Sequence, residues 1–78
     1  MTEDEVRQLI VEIASVPDIA ALIPDQPLTE QGLDSLDLAS LLLLVEERYG
    51  VVVPDSSVSE CSTINGLLKF ANNVKGTN

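Results

Sequence analysis

The sequence predicts an all-α fold, a small bundle of three main helices and one short helix, with a long loop between the first two. Apolar residues recur at helical spacing in three separate stretches, which is typical of helices that bury one face. The β-branched run at residues 51–53 has no second strand to pair with. Because 78 residues can build only one small core, residues 1–78 are expected to form a single domain.

The first helix is expected to begin after Thr2, whose hydroxyl can cap the first turn while the Glu5 carboxylate reaches back. Its apolar face has i, i+3, i+4 and i+7 spacing and consists of Val6, Leu9, Ile10 and Ile13. Pro17 disfavours helical backbone just before it, so the helix should end near Ser15 or Val16.

The connection that follows, residues 17–34, is long for a compact domain and contains three prolines. A loop of this length needs anchors. The sequence offers four apolar side chains for this role, Ile19, Leu22, Ile23 and Leu28. Residues 19–23 are expected to form a short helical turn.

The second helix is predicted over residues 35–49, with Asp34 as its N-cap and Gly50 as its stop. At about 100° per residue, one apolar stripe gathers Leu38, Leu41, Leu42, Val45 and Tyr49. Three further leucines, Leu36, Leu43 and Leu44, fall outside this stripe. A domain this small cannot easily bury a whole helix, so these leucines indicate a second surface for a partner protein.

The segment after the second helix, residues 51–53, is expected to be an extended link. A short helix then reaches Cys61, capped by Asp55 or Ser56, with Val58 and Cys61 facing inward.

The last helix is expected to begin after Ser62 or Thr63, either of which can cap it. Its apolar face consists of Ile64, Leu67, Leu68, Ala71 and Val74. Gly66 lies inside this helix and should weaken it by about 1 kcal/mol relative to alanine.

Acidic residues dominate the charge: 13 Asp and Glu oppose four Lys and Arg, the formal net charge is −9, and histidine is absent. Such a surface repels nucleic-acid phosphates and anionic lipid headgroups and attracts proteins with basic patches. Without histidine, a Ser-His-Asp triad and a histidine metal site are excluded, and enzyme activity is not expected of so short a chain. The single cysteine excludes an internal disulfide framework. The lack of a signal peptide or long apolar span predicts a cytoplasmic protein.

The sequence G-L-D-S-L-D at residues 32–37 places a serine at the start of the second helix. Unpaired backbone N–H groups and the helix dipole favour an anion there by about 0.3–1 kcal/mol, which suits a phosphate esterified to Ser35. Asp34 and Asp37 repel free phosphate, so Ser35 is better explained as a residue that another protein modifies. An isolated D-S-L could also be only a helix start. A hydrolase of the Gly-Asp-Ser-Leu type is excluded, because Leu33 interrupts that block and no histidine can act as base.

Nearly the whole chain resembles the acyl carrier protein family, with an amphipathic first helix, a long loop, G-L-D-S-L-D, V-P-D and a closing helix. The block from Leu28 to Asp55 carries the most specific part of this resemblance. The resemblance implies a small acyl-carrier-like bundle in which Ser35 bears 4′-phosphopantetheine, transferred from coenzyme A by a Mg²⁺-dependent phosphopantetheinyl transferase. It also implies that the thiol of this arm holds acyl groups as thioesters for acyl-loading, condensing or adenylating enzymes with basic docking patches.

By the same resemblance, the face that partner enzymes read consists of Asp34, Leu36, Asp37, Leu43, Leu44, Glu46 and Glu47. Acids on such a face can instead be merely solvated, and leucines there can belong to a wider core. Val53, Val58 and Cys61 match positions beside the cleft that shelters the acyl chain, and plain core packing explains them equally well. No residue is expected to be catalytic or to bind a metal.

Three differences from fatty-acid carriers indicate polyketide-like or other specialised metabolism. Ser40 replaces a common acid, Leu38 replaces a small polar residue, and the loop before Ser35 is one residue shorter. The alternative is an aminoacyl or peptidyl carrier that works with a discrete adenylating enzyme, although Asp34 stands where such carriers commonly have histidine. A third hypothesis is an acidic adaptor without a prosthetic group. Nothing in the sequence requires more than a monomer.

Overall fold

Three α-helices make up most of the chain: α1 (Glu3–Ile13), α2 (Ser35–Tyr49) and α3 (Ile64–Gly76). The computed structural model describes residues 1–76, with side chains described as far as residue 74. Four 3-10 turns lie between the helices, at Ile19–Ala21, Leu28–Glu30, Asp55–Ser57 and Glu60–Ser62. No strand occurs within residues 1–76. The predicted all-α fold with three main helices is therefore confirmed, as is the long connection between α1 and α2.

The start of α1 is the predicted capping box. The Thr2 hydroxyl accepts a hydrogen bond from the Glu5 N–H at 3.3 Å, and the Glu5 carboxylate accepts one from the Thr2 N–H at 2.8 Å. Of the predicted apolar face, Val6, Leu9 and Ile10 are buried and Ile13 is half-buried. The helix ends at Ile13, before the predicted end, because Ala14 is already extended. The chain leaves the helix early and returns along α1.

Apolar side chains anchor the long loop to the bundle. Leu22 and Leu28 are buried, as predicted, and so is Leu33, which the sequence pattern did not mark. The prediction for Ile23 is wrong, since its side chain is 49% exposed. Polar contacts, and not apolar burial, must therefore hold the exposed part of the loop.

Arg7 of α1 provides one polar anchor for this loop. Its guanidinium donates hydrogen bonds to the backbone carbonyl oxygens of Ile19 and Leu22 and to the Glu3 carboxylate. A short 3-10 turn forms at residues 19–21, so the turn predicted over residues 19–23 is present but ends two residues earlier. Buried carbonyl groups need such partners, so Arg7 fixes the first half of the loop against α1.

The bounds of α2 match the prediction, because each end has its predicted cap. At the C-terminal end Gly50 adopts the left-handed conformation, with φ of 68°, which glycine tolerates best. The core is drawn from all three helices and from the loops, and consists of Val6, Leu9, Ile10, Leu22, Leu28, Leu33, Leu38, Leu41, Val45, Val51, Cys61, Ile64, Leu67 and Ala71. Leu42 and Tyr49 of the predicted stripe are half-buried against it.

Exposed side chains also connect α1 with α2. Arg48 Nη1 and Nη2 donate to the two carboxylate oxygens of Glu12 at 2.6 and 2.5 Å, and this pairing lowers the pKa of Glu12. The Tyr49 hydroxyl donates to the Glu5 carboxylate at 3.1 Å, and burial raises the pKa of Tyr49. Exposed ion pairs add little to stability. The packing of the apolar faces therefore holds the two helices together.

Between α2 and α3 the chain forms two successive 3-10 turns instead of one short helix. Neither Asp55 nor Ser56 provides a side-chain cap there, so that prediction is wrong. The segment is rich in serine, whose side chains compete with the backbone for hydrogen bonds. Among the described residues, Ser62 is the one serine of this segment whose hydroxyl bonds the backbone, donating to the Ser59 carbonyl oxygen at 2.7 Å. This competition favours short turns over a continuous α-helix.

Gly66 lies in α3 against the backbone of the preceding turn. The predicted cap of this helix is Thr63, whose hydroxyl accepts a hydrogen bond from the Gly66 N–H at 2.9 Å. A Cβ atom placed on Gly66 would overlap the backbone carbonyl oxygen of Glu60 and would lie 2.8 Å from the Thr63 hydroxyl oxygen. Glycine at this position is therefore required by close packing, which outweighs its weak helix propensity.

We predict that Gly66→Ala destabilises the protein, although alanine favours helices. The backbone must move to relieve the overlap with the Glu60 carbonyl, and overpacking of this kind costs about 1–3 kcal/mol. Urea unfolding followed by far-UV circular dichroism measures the change. The control is Asn73→Ala, at an exposed position of the same helix, which should leave the free energy of unfolding equal or slightly higher. A Gly66→Ala protein as stable as wild type would contradict the packing argument.

Candidate functional site

Ser35 is the first residue of α2, and its side chain is exposed. The Asp34 carboxylate accepts a hydrogen bond from the Asp37 N–H at 2.8 Å, and the Asp37 carboxylate accepts one from the Asp34 N–H at 3.2 Å. This reciprocal capping box fixes the start of the helix. The Ser35 hydroxyl has no hydrogen bond to any described residue. An enzyme approaching from solvent can therefore reach it.

The turn before α2 determines how Ser35 is presented. Gly32 has φ of 100°, a left-handed conformation that glycine adopts without strain. The next residue, Leu33, is only 2% exposed, and its N–H bonds the Leu28 carbonyl oxygen at 3.3 Å. The turn thus ties the start of α2 to the core, and Ser35 lies on the surface of an anchored segment.

The electrostatic surroundings of Ser35 are negative. Asp34 and Asp37 flank it, and within the described chain each accepts hydrogen bonds only from a backbone N–H group. The N–H groups of Ser35 and Leu36 have no partner among the described residues. Two N–H groups between two carboxylates do not make a site for free phosphate. They do suit a phosphodiester held covalently on Ser35, because the covalent bond overcomes the repulsion while the N–H groups can receive its oxygens.

A cleft of about 360 Å³ opens beside Ser35, between α2 and residues 53–58. It is lined by Ser35, Leu38, Ala39, Leu42, Leu43, Glu46, Val53, Asp55 and Val58. Val53 and Val58, two of the three residues predicted beside a cleft, lie in its wall. Cys61 does not line it, because its side chain is fully buried in the core. The cleft is mainly apolar, and Glu46 and Asp55 are the acidic residues among those that line it.

The residues predicted for docking differ in exposure. Leu36 is 76% exposed and Leu43 is 55% exposed, which is unusual for leucine side chains on a helix with a packed stripe. The acids of the set, Asp34, Glu46 and Glu47, are exposed, and Asp37 is half-buried. Leu44 is half-buried and packs against the core. It therefore contributes less to the outer face of α2 than Leu36 and Leu43 do.

Several cleft residues were not evident from the sequence. Leu38 and Leu42 follow Ser35 at i+3 and i+7, which puts all three on one side of α2. The periodicity assigned these leucines to the core, because apolar spacing alone does not distinguish a core wall from a cleft wall. The sequence pattern did not indicate Asp55 as a cleft residue, because Asp55 lies outside α2 and comes close to it only in the fold.

Comparison with known proteins agrees with this geometry. A sequence profile for the phosphopantetheine attachment site matches residues 4–71. The acyl carrier protein of Campylobacter hominis is 32% identical over 71 residues, which cover 91% of this chain and 90% of that protein. The acyl carrier protein of Campylobacter fetus subsp. fetus is 31% identical over 72 residues, covering 92% and 94%. That of Campylobacter jejuni subsp. jejuni serotype O:23/36 is 30% identical over 74 residues, covering 95% and 96%.

The fold, the serine at the start of α2 and these matches define a phosphopantetheine-dependent carrier. The chain belongs to the acyl carrier protein family, in which 4′-phosphopantetheine is attached covalently. The family resemblance and the cofactor predicted from the sequence are therefore confirmed. Within residues 1–76, no helix combines the length and the apolar character needed to cross a membrane.

We predict that Cys61 is unreactive in the folded, unmodified protein. Burial raises the pKa of its thiol to about 11, with a smaller contribution from the neighbouring Glu60 carboxylate. Since the thiolate is the reactive form, its reaction with a disulfide reagent at pH 8 should be at least about a hundredfold slower than in urea-unfolded protein. Absorbance of the released thiol dye measures both rates, and the folded rate should rise as the pH approaches 11. Equal rates for folded and unfolded protein would show that the thiol is accessible.

Proposed function

We propose that Ser35 is the attachment residue for 4′-phosphopantetheine and that the protein carries acyl groups as thioesters. The observation that carries this assignment is the exposed Ser35 hydroxyl, which lies beside two unpartnered N–H groups and at the edge of the cleft. Ser40, the other serine of α2, is also exposed but lies beyond the first turn. Only Ser35 combines accessibility with the helix N-terminus.

The role of Ser35 is that of a substrate, since its surroundings do not activate it. Asp34 and Asp37 both accept hydrogen bonds from backbone N–H groups, and the sequence has no histidine to act as base. A separate Mg²⁺-dependent phosphopantetheinyl transferase must therefore supply the base that takes the Ser35 proton and bind coenzyme A, from which adenosine 3′,5′-bisphosphate leaves as the phosphopantetheine is transferred. Once attached, the group supplies a terminal thiol that forms thioesters. The carrier then brings the cargo to each enzyme at high effective concentration.

Partner enzymes dock on the exposed side of α2, named the α2 face and consisting of Asp34, Leu36, Asp37, Leu43, Glu46 and Glu47, with Leu44 at its inner edge. Its acids complement basic patches on acyl-loading, condensing or adenylating enzymes. Its two exposed leucines supply a small apolar contact. An interface dominated by charge forms quickly and dissociates readily, which suits a carrier that visits several enzymes in turn.

The cleft shelters part of the cargo. Leu38, Leu42, Val53 and Val58 provide its apolar wall. Its volume of about 360 Å³ lies near the lower end of the range of about 300–1,000 Å³ for small-molecule pockets. A short acyl group attached through the Ser35 arm therefore fits its size and its polarity. Cys61 takes no part in this role because it lies in the core.

The pathway that fits the sequence departures is polyketide-like or other specialised metabolism, in the cytoplasm and with a monomeric carrier. The alternative, an aminoacyl or peptidyl carrier, gains support from two acidic residues, Glu46 and Asp55, among those that line the cleft. A cargo with an ammonium group would be attracted to them. The two candidates share Ser35 and differ in the loading enzyme, which uses an acyl donor in one case and an amino acid with ATP in the other.

Modification of Ser35 is tested by intact mass after incubation with coenzyme A, Mg²⁺ and a broad-specificity transferase. We expect wild type to gain one phosphopantetheine and Ser35→Ala to gain none, because the alanine has no hydroxyl to modify. Ser40→Ala, the matched control on the same helix, should be modified like wild type. Absence of modification in wild type, with a transferase shown to be active on another carrier, would overturn the assignment. An acidic adaptor without a prosthetic group would give that result.

The docking role of the α2 face is tested by Glu47→Lys. We expect this variant to raise the KM of the transferase for the carrier by about two- to tenfold and to weaken the dependence of KM on salt, because it removes long-range attraction. Asp4→Lys changes the net charge equally on α1, at an exposed residue, and should have a much smaller effect. Equal effects of the two variants would show that only net charge matters and would remove Glu47 from the docking face.

A further inference from the structure

Residues 23–26 form one part of the α1–α2 loop that lies outside the core. Ile23, Asp25 and Gln26 are exposed, and Pro24 is half-buried. An exposed segment of this kind has little apolar burial to hold it, so its order depends on polar contacts. Two side chains provide these contacts, one from the end of the loop and one from α3.

Gln31 makes three hydrogen bonds to this segment with a single side-chain amide. Its Oε1 accepts from the Ile23 N–H at 2.6 Å. Its Nε2 donates to the Ile23 carbonyl oxygen at 3.0 Å and to the Gln26 carbonyl oxygen at 3.0 Å. The amide therefore pairs with Ile23 through both of its polar atoms, as a backbone strand would. Glutamine supplies one acceptor and two donors in this geometry, and glutamate cannot.

The opposite side of the segment is held by Asn65 of α3. The Asn65 N–H donates to the Pro24 carbonyl oxygen at 3.1 Å, and its Nδ2 donates to the Asp25 carboxylate at 2.6 Å. Residues 23–26 are thus fixed to α3 on one side and to Gln31 on the other. Gln31 is the link between this fixed segment and the turn that leads into α2.

The backbone of Gln31 belongs to that turn. Its N–H bonds the Leu28 carbonyl oxygen at 3.0 Å, and the Leu33 N–H bonds the same oxygen at 3.3 Å. Gly32, between them, has φ of 100° and no side chain to restrict it. A flexible residue therefore lies three positions before Ser35. The hydrogen bonds of the Gln31 side chain therefore restrain the backbone at the position directly before Gly32.

We propose that Gln31 is a positioning residue for Ser35. Its amide clamp adds to the hold that buried Leu33 and the Asp34–Asp37 capping box have on residues 32–34, so that the Ser35 hydroxyl meets the transferase in one orientation. This proposal rests on Ser35 being the attachment residue. A misplacement of about 1 Å in a reacting group can reduce a rate by about a hundredfold, so loss of the clamp should reduce turnover more than it reduces binding, because the α2 face remains intact.

The test compares Gln31→Glu with Gln26→Glu. Both variants replace an amide with a carboxylate in the same loop, but the Gln26 side chain has no hydrogen bond to any described residue. Gln31→Glu loses both donors and places a carboxylate oxygen opposite two carbonyl oxygens. We expect Gln31→Glu to lower the transferase kcat by about tenfold with KM within about twofold of wild type. Gln26→Glu should keep both constants within about twofold. Assays well below the melting temperature of each variant keep the comparison to folded protein.

A second readout needs no transferase. Nitrogen-15 relaxation of the unmodified protein should show larger backbone motion at residues 32–35 in Gln31→Glu, and the Ile23 amide should exchange faster with solvent. Gln31→Ala should repeat both changes, and Gln26→Glu should show neither. Unchanged motion at residues 32–35, or equal kcat for the two glutamate variants, would overturn the proposal. Wild type that is never modified would overturn the Ser35 assignment instead, and the relaxation data would still decide whether Gln31 orders the turn.

Discussion

The two hydrogen bonds between Asp34 and Asp37 determine how the start of α2 can be used. Serine is itself a favoured N-cap, and the hydroxyl oxygen of a capping serine accepts a hydrogen bond from a backbone N–H group. Here Asp34 is the cap and Ser35 is the first residue of the helix. The Ser35 hydroxyl therefore makes no hydrogen bond to the described residues. The proposed attachment residue thus gains a fixed position without losing its reactive oxygen. The Asp34–Asp37 pair also adds the negative charge that favours a covalently held phosphodiester over free phosphate.

The period of the α-helix divides the side chains of α2 among the core, the cleft and the proposed docking face. Leu41 and Val45 point into the core, and Leu42 belongs to the wall of the cleft. Leu43 and Glu46 belong to the cleft and also to the proposed docking face. A partner that docks on these two side chains therefore touches the mouth of the cleft at the same time. One helix can combine core packing with the proposed docking and shelter because different residues on each turn face different neighbours.

Contacts that form only in the folded chain explain two of the predictions that failed. Ile23 resembles an apolar anchor in the sequence, but in the fold its backbone is bonded to Gln31 and its side chain is exposed. Gly66 resembles a weak point in a helix, but the Glu60 carbonyl leaves no room for a larger residue. Neither fact follows from helical or apolar spacing, because the first depends on the Gln31 side-chain amide and the second on the Glu60 backbone carbonyl, and both come close only when the chain turns back on itself. The turns at residues 55–62 differ from the predicted helix for a local reason, the competition of serine side chains for backbone hydrogen bonds.

The sequence by itself determined the all-α class, the bounds and caps of α2, the capping box of α1 and the serine in G-L-D-S-L-D, because these depend on residues within one or two helical turns of each other. The tertiary structure decided that Leu44 packs against the core while Leu36 and Leu43 stay exposed, which residues line the cleft, and that Cys61 lies in the core and not beside the cleft. Those outcomes depend on the angles at which the helices and turns pack together, and the apolar spacing within one helix does not predict these angles. The hydrogen bonds that hold residues 23–26 are likewise tertiary contacts, since Asn65 of α3 donates one of them to the Asp25 carboxylate.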